Sequence, residues 1–206
     1  MWRKYGFRED VDMTKETDPI RLFQEYFEAA KKSEPSDATA FALATADGDG
    51  APSVRMVLLK KAEAEGFMFF TNLESRKGED LQANPKAAMC FYWDTIDIQV
   101  RIEGKVTPVT SEEADAYFAT RPRASQIGTW ASDQSRPMEG MLALEKRAAK
   151  FAAKYAIGKV PRPPFWSGFR LVPSRIEFWH RRPFRLHERT VYDRQGEGWS
   201  MMRVYP

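Results

Sequence analysis

The sequence predicts a mainly β protein, an antiparallel barrel into which several helices are inserted. From residue 38 onwards, most of the chain consists of short β-like runs separated by turn residues such as Asp47-Gly48-Asp49-Gly50, a pattern typical of antiparallel strands. Strands do not alternate regularly with helices, so the βαβ repeat of a parallel sheet is not indicated. No Gly-x-Gly-x-x-Gly follows a strand, which argues against a doubly wound dinucleotide-binding domain.

The chain is predicted to consist of a flexible arm over residues 1–17 and one domain over residues 18–206. The arm is polar and aperiodic, which is typical of a terminus that orders only against another surface. Asp18-Pro19 combines an N-cap side chain with a proline at the first helical position. A helix should therefore begin there and run to about Lys32.

The other elements follow from hydrophobic pattern, turn residues and capping signals. Strands are predicted over residues 39–46, 52–61, 66–72, 86–93, 96–107, 166–171, 175–179, 185–192 and 199–204. Helices are predicted from residue 75 to about residue 84, from residue 110 to about residue 121, and over residues 138–155. Pro122 is expected to end the second of these helices, because proline cannot continue a helix comfortably.

Composition favours a globular protein in a reducing compartment. The 206 residues are 43% apolar, and 32 basic against 29 acidic side chains leave a net charge of only +3, which does not indicate a diffuse nucleic-acid-binding surface. Cys90 is the single cysteine, so no intrachain disulfide can form, and one cysteine with two histidines argues against a zinc site. Neither a signal peptide nor an apolar run of about 18 residues is present. We therefore expect a cytoplasmic protein without a metal or a membrane partner.

The most informative stretch is Ile176–Arg189, IEFWHRRPFRLHER, in which an apolar strand leads into a basic one. Side chains alternate across a strand, so Arg185, His187 and Arg189 are predicted to share one face. Three potential cations side by side repel one another unless they face anions or open solvent. The segment is therefore either an anion-binding surface with a histidine that exchanges protons or a solvated strand face.

A second candidate anion site is Ser75-Arg76-Lys77 at a predicted helix start. A hydroxyl, two cations and the free N–H groups of the first helical turn together favour a phosphate. The alternative is an ordinary N-cap followed by solvated charges. On the strand over residues 52–61, Arg55 and Lys60 point to opposite faces if the strand is regular. They then serve different anions or lie at an interface.

A third candidate site follows the predicted helix that begins at residue 110. Tyr117 and Arg121 are four residues apart and share a helix face, and Ser125 follows just past the proline. These three groups would hold a phosphate if they converge, whereas Tyr117 packed on the Arg121 stem would be structural. Gln99 lies within an apolar strand and Gln134-Ser135 within a loop. Such polar groups need either a polar ligand or a backbone partner.

Taken together, these motifs resemble the pyridoxamine 5'-phosphate oxidase family, and the resemblance covers nearly the whole chain from Asp18 to Pro206. It is carried in order by RMVLLK (55–60), FFTNLESRKG (69–78), Gln99, YFATRPRASQIGTWAS (117–132), Gln134-Ser135, PPFWSGFRL (163–171), IEFW (176–179), RLHER (185–189) and a terminal RVYP. Phe70 replaces the more usual Tyr, which keeps a ring but removes a hydroxyl.

This resemblance implies a split β-barrel of the FMN-binding type, assembled as a homodimer with FMN at the subunit interface. The residues implied to contact FMN are Arg55, Met56, Val57, Leu58, Leu59, Lys60, Phe70, Thr71, Arg76, Lys77, Gln99, Gln134, Ser135, Trp179 and Arg189. The residues implied to hold the substrate phosphate are Lys60, Tyr117, Arg121 and Ser125. Arg185 and His187 are implied to lie over the substrate ring as the catalytic residues.

The reaction that the resemblance implies is oxidation of pyridoxamine or pyridoxine 5'-phosphate to pyridoxal 5'-phosphate. A hydride leaves the substrate C4' for flavin N5, and dioxygen reoxidises the flavin to give hydrogen peroxide. One alternative is a related split-barrel flavin oxidase of phenazine-type metabolism, which the set of Tyr117, Arg121 and Ser125 disfavours. The other is a non-catalytic flavin or pyridoxal phosphate binding protein.

Overall fold

The computed structural model describes residues 17–206, and one antiparallel sheet organises this part of the chain. Its strands are β1 (Ala40–Ala46), β2 (Pro52–Leu58), β3 (Lys61–Glu63), β4 (Gly66–Asn72), β5 (Lys86–Trp93), β6 (Ile98–Pro108), β7 (Trp166–His180), β8 (Glu188–Gln195) and β9 (Gly198–Val204). Its α-helices are α1 (Pro19–Ser33), α2 (Arg76–Ala83), α3 (Ser111–Thr120), α4 (Arg123–Ala131) and α5 (Ala143–Lys154). The predicted arm, apart from its last residue, lies outside the described residues.

The sheet is curled into a half-barrel. The strand order is β2-β1-β5-β6-β7-β4-β3, and β8 and β9 extend the sheet from β7. This antiparallel arrangement with inserted helices confirms the predicted mainly β class. The predicted helix start is also confirmed, because the Asp18 side chain accepts a hydrogen bond from the Ile20 N–H at 2.9 Å.

Helix α1 packs its apolar stripe into the core of the half-barrel. Phe23 is fully buried, and its ring centre lies 4.9 Å from that of Phe67 on β4 and 5.1 Å from that of Phe91 on β5. Burial of one phenylalanine side chain contributes roughly 1.5–3 kcal/mol of transfer free energy. Phe23 thus packs against both β4 and β5, which are not neighbours in the sheet.

Strand β7 is one continuous strand, whereas the sequence predicted two. Its first half pairs with β4 and its second half with β8, while β6 runs beside both. Pro173 lies between the two predicted strands, and the register of β6 shifts between Glu103 and Gly104 opposite this proline. A β-carbon on Gly104 would lie 2.1 Å from the Val172 carbonyl oxygen. The glycine thus lets the two backbones approach at the bulge that accommodates the proline.

The prediction of a strand over residues 185–192 is wrong at its start. Strand β8 begins at Glu188, and Pro183–Arg185 form a short 3-10 turn in which Phe184 and Arg185 have φ values of 58° and 62°. Proline has no N–H with which to join a ladder, and the left-handed residues after it turn the chain. Consequently Arg185, His187 and Arg189 do not share one strand face. Of these three residues, only Arg189 lies on β8.

Helix α4 is an element that sequence reasoning did not predict. Pro122 ends α3, as expected, but it also stands at the N-cap of α4, where its fixed φ is compatible with a helix start. The helix predicted over residues 138–155 begins at Ala143. Across residues 17–206, no helix combines the length and apolar character that crossing a bilayer requires.

Candidate functional site

A cavity of about 640 Å³ is lined by residues of β2, β4 and helices α2 to α4. The predicted site residues that line it are Met56, Val57, Leu58, Lys60, Phe70, Thr71, Lys77, Tyr117, Arg121, Ser125 and Gln134. Motifs that are far apart along the chain, including two of the predicted phosphate sites, therefore meet in one cavity.

Lys77 provides the cation of the first site. It lies in the first turn of α2, and its ammonium group donates hydrogen bonds to Thr71 Oγ1 (3.1 Å), Ser75 Oγ (3.2 Å) and Gln134 Oε1 (2.9 Å). These acceptors are neutral, and Lys77 forms no ion pair with any residue that the structure describes. Burial, and then the charge of Arg55, lower the pKa of Lys77 to about 8. A buried cation held by neutral dipoles is well arranged to receive an anion.

The lowered pKa of Lys77 predicts a pH-dependent stability for the ligand-free protein. The folded state holds this proton less tightly than the unfolded state does, so stability should rise as the pH increases from about 8 towards 10.5. Thermal melting of the ligand-free protein across this range measures the effect. A Lys77→Met variant should lack this component of the rise, and identical pH profiles for the two proteins would contradict the assignment.

Arg121 provides the cation of the second site. It caps the C-terminus of α3, donates from Nη1 to Thr129 Oγ1 at 2.7 Å, and lies with its guanidinium carbon 4.9 Å from the Trp166 ring centre. Burial lowers the pKa of Arg121. Lys60 and Ser125 line the same cavity. The second cation thus lies among hydroxyl groups and a further ammonium group.

Three stacked aromatic rings form a wall of the cavity. The Phe70 ring centre lies 4.3 Å from that of Tyr117 and 5.2 Å from that of Trp166, with interplanar angles of 18° and 8°. The Lys60 ammonium group lies 5.8 Å from the Tyr117 ring centre. Stacked aromatic rings beside two cations suit ligands that combine a planar ring with an anionic tail.

Arg55 does not line the cavity, because its guanidinium is engaged elsewhere. It donates to Thr45 Oγ1 at 2.7 Å and forms an ion pair with Asp80 at 3.7 Å. Burial acts to raise the pKa of Asp80, but hydrogen bonds from Thr45 and Ser53 and the charge of Arg55 outweigh it, so this pKa is lowered. Sequence reasoning missed Asp80, because its partner Arg55 lies on a different element and no local spacing links the two residues.

Three other members of the predicted cofactor set also lie outside the cavity lining. Leu59 is 2% exposed and belongs to the core. Arg76 is exposed at the first residue of α2, and Ser135 has a left-handed backbone with a φ of 71°. Their predicted contacts with a cofactor therefore remain predictions.

The remaining predicted cofactor residues form a second group on the C-terminal strands. Gln99 on β6 pairs with Trp179 on β7, which pairs with Arg189 on β8. Directly opposed residues of antiparallel strands share one face of a sheet, so these three side chains form a cross-strand row. None of the three lines the cavity between β2 and β4.

The two predicted catalytic residues lie beside this row. The His187 ring centre is 4.5 Å from that of Trp179, and His187 Nδ1 accepts a hydrogen bond from the Arg182 N–H at 3.1 Å. A neutral His187 therefore carries its proton on Nε2, which is available as a donor. Arg185 is exposed, and an open hollow of about 430 Å³ is lined by His187 and Arg189. One chain by itself does not bring the predicted catalytic residues to the predicted substrate-phosphate site.

Ion pairs anchor the loop that precedes Arg185. Arg181 pairs with Asp94 at 2.9 Å and with Asp97 at 3.0 Å, and Arg182 pairs with Glu188 at 3.0 Å. The basic character of this loop is thereby explained by contacts within the chain, and the loop holds the turn that presents Arg185.

Comparison with known proteins covers both halves of the chain. The family described as Pyridoxamine 5'-phosphate oxidase matches residues 27–155, and the one described as Pyridoxine 5'-phosphate oxidase C-terminal dimerisation region matches residues 166–206. A pyridoxine/pyridoxamine 5'-phosphate oxidase of Rhodospirillum rubrum is 60% identical over 194 residues, which cover 92% of this chain and 96% of that protein.

Two solved structures share the fold. PhzG from Burkholderia lata, in complex with tetrahydrophenazine-1-carboxylic acid, has a TM-score of 0.88 at 32% identity over 93% of this chain and 94% of that one. A pyridoxamine 5'-phosphate oxidase-related, FMN binding protein from Nostoc punctiforme has a TM-score of 0.74 at 18% identity over 93% of this chain and 100% of that one.

The half-barrel is a split-barrel fold, and the family match together with the curated relative defines the class of protein, an FMN-dependent oxidoreductase. The chain belongs to the pyridoxamine 5'-phosphate oxidase family, because the two family regions together span residues 27–155 and 166–206 and a relative is 60% identical. The resemblance drawn from the sequence motifs is thereby confirmed.

Proposed function

We propose that the protein oxidises pyridoxamine 5'-phosphate and pyridoxine 5'-phosphate to pyridoxal 5'-phosphate, with FMN as cofactor and dioxygen as the final electron acceptor. The observation that carries this proposal is one cavity in which two cationic sites, at Lys77 and Arg121, adjoin an aromatic wall. Neither cation is paired with a carboxylate of the described residues. FMN and a phosphorylated B6 vitamer together present two phosphates and two planar rings, which fits this arrangement.

The Lys77 site suits the FMN phosphate. When a phosphate binds there, the Lys77 ammonium group replaces hydrogen bonds to neutral side chains with stronger hydrogen bonds to an anion. The first turn of α2 adds its N–H groups and its dipole. Arg76 supplies a second cation at the same helix start. When bound, FMN supplies a hydride acceptor at N5 and passes the electrons to dioxygen, which leaves as hydrogen peroxide.

The Arg121 site suits the substrate phosphate. Arg121, Lys60, Tyr117 and Ser125 offer a guanidinium, an ammonium and two hydroxyl groups around one part of the cavity. Fixing the phosphate tail there sets the position of the substrate ring before reaction, which removes part of the entropic barrier.

Arg185 and His187 are assigned to the reacting end of the substrate. Arg185 orients the substrate ring so that C4' faces the hydride acceptor, and His187 Nε2 donates a hydrogen bond beside it. With the amine substrate, water then hydrolyses the resulting imine and ammonia leaves. With the alcohol substrate, loss of the hydride and the hydroxyl proton yields the aldehyde directly.

The dimerisation region matched over residues 166–206 supports a homodimer. This region carries Trp179, Arg185 and Arg189, and strand β2 offers Val54 (68% exposed) and Met56 (65% exposed) as an apolar surface that a second subunit can cover. In the proposed assembly, the C-terminal strands of one subunit complete the cavity of the other. The groups that a single chain keeps apart then belong to one site.

Anaerobic titration of the purified protein tests the proposed reaction. The protein should be yellow, and pyridoxamine 5'-phosphate should bleach the flavin absorption band without air. Readmitted air should restore the band and release hydrogen peroxide in an amount equal to the pyridoxal 5'-phosphate formed. Unphosphorylated pyridoxamine at the same concentration is the matched control. Bound flavin that is not bleached by the phosphorylated amine would refute the proposal.

A second candidate function is oxidation of a phenazine precursor, which the TM-score of 0.88 with PhzG favours. A tricyclic carboxylic acid has no phosphate for the cluster around Arg121. Faster anaerobic bleaching by tetrahydrophenazine-1-carboxylic acid than by pyridoxamine 5'-phosphate would support this candidate over the first.

An Arg121→Met variant should bind the phosphorylated substrate poorly. Hydrogen bonds to charged groups contribute about 1.5–3 kcal/mol each, so KM for pyridoxamine 5'-phosphate should rise roughly tenfold or more while kcat falls less. Steady-state oxygen consumption measures both constants. Lys146→Met removes an exposed cation of α5 as the control. An unchanged KM in the Arg121 variant would place the substrate phosphate elsewhere.

A further inference from the structure

We propose that Glu177 is a positioning residue for FMN binding, which acts through Arg189. The inference rests on the function proposed above and on the contact with FMN that the sequence resemblance implies for Arg189. Glu177 lies on β7, two residues before Trp179, and lines neither the cavity nor the hollow. Its role must therefore be exerted through the side chains that it holds.

The Glu177 carboxylate binds two arginines. Its side chain is 3% exposed and accepts hydrogen bonds from Arg189 Nε at 2.8 Å and from Arg189 Nη2 at 3.0 Å. This bidentate geometry sets the plane of the guanidinium as well as its position. Arg101 Nη2 donates to the same carboxylate at 2.8 Å from the neighbouring strand β6.

Arg189 keeps donors for a ligand while it is held in this way. A guanidinium has five N–H groups. Glu177 takes the Nε–H and one N–H of Nη2, and the Tyr205 carbonyl oxygen takes one N–H of Nη1 at 2.9 Å. With respect to residues 17–206, one N–H remains on each terminal nitrogen. Because Arg189 lies in the cross-strand row with Trp179 and Gln99, these two donors are fixed in a row of predicted cofactor contacts.

Stability alone is a weak reason for a buried carboxylate at this position. The free energy lost when charged groups are removed from water is about as large as the free energy gained when they pair. Apolar replacements of buried ion pairs are therefore often neutral or stabilising. Orientation is what the bidentate contact adds. Without Glu177, the Arg189 side chain could rotate away from the row, and Arg101 would keep Glu103 at 3.9 Å as its carboxylate neighbour.

Titration of the ligand-free protein with FMN tests the inference, with quenching of FMN fluorescence as the readout. Glu177→Gln keeps the size of the side chain but leaves one acceptor oxygen, so the dissociation constant of FMN should rise roughly tenfold or more. At saturating FMN, the KM for pyridoxamine 5'-phosphate should stay unchanged. Glu103→Gln is the matched control, since Glu103 also faces Arg101 but is exposed, and it should bind FMN like the parent protein.

A double-mutant cycle separates positioning from general stabilisation. Lysine cannot form the bidentate pair, so Glu177→Gln should add little to the loss of FMN affinity already caused by Arg189→Lys. Equal losses in both backgrounds, or a lower melting temperature with unchanged FMN affinity, would overturn the inference. If Glu177→Gln does not fold, Glu177→Asp, which withdraws the carboxylate by one methylene, is judged by the same titration. Failure of the parent protein to bind FMN would refute the proposed function, and this inference with it.

Discussion

Replacement of Arg185 by alanine should reduce turnover by about a hundredfold or more while FMN stays bound. Misplacement of a reacting carbon by about 1 Å can cost about a hundredfold in rate, and Arg185 is proposed to orient the substrate ring. Arg185 is exposed on the Pro183–Arg185 turn and is presented by a loop that ion pairs anchor. Its loss should therefore remove a functional group without disturbing the core. Oxygen consumption under steady state and the flavin absorption of the purified variant measure the two expectations.

The control for this experiment is Arg194→Ala, at the far end of strand β8, where the guanidinium packs over the Trp199 ring. It should retain the turnover of the parent protein. A non-catalytic flavin or pyridoxal phosphate binding protein would show no turnover to lose, so parent activity distinguishes that alternative at the outset. An Arg185→Ala variant that keeps most of its kcat would remove Arg185 from the catalytic role.

Replacement of Lys77 by methionine should weaken FMN binding by about a hundredfold or more, because truncating one partner of a buried charge pair costs about 2–5 kcal/mol. The same change should leave the ligand-free protein as stable as before or more so at neutral pH. In that state, burial already lowers the pKa of Lys77 to about 8, which means that folding disfavours its charged form. Loss of affinity together with unchanged or increased stability of the ligand-free protein is the distinctive outcome.

Isothermal titration with FMN and thermal melting of the ligand-free protein provide these measurements. Lys86→Met, an exposed lysine at the start of β5, is the matched control and should change neither quantity. A Lys77→Met variant that binds FMN normally would place the cofactor phosphate away from the start of α2. A variant that loses both affinity and stability would indicate a structural role for the ammonium group.

Much of the candidate site could be predicted from the sequence, and the residues that were not predicted were missed for the same reason. The motifs around Lys77, Tyr117 and Arg121 were each recognisable from local order, and the fold brings them to one cavity. Asp80 and Glu177 were not predicted as parts of the site. Each is a single acid within a helix or strand pattern, and its importance depends on arginines more than ten residues away along the chain. Local spacing contains no signal for such a contact.

The sequence by itself determined the class of fold, the family and most element boundaries, because caps, turn residues and the alternation of side chains are local properties. The helix start at Asp18 and the strand Gly66–Asn72 are two boundaries that it placed correctly. Only the tertiary structure decided that residues 166–180 form one strand and that Arg185 lies on a turn. Those outcomes depend on the register of neighbouring strands and on a glycine opposite a proline. Such relations exist only once distant parts of the chain have paired.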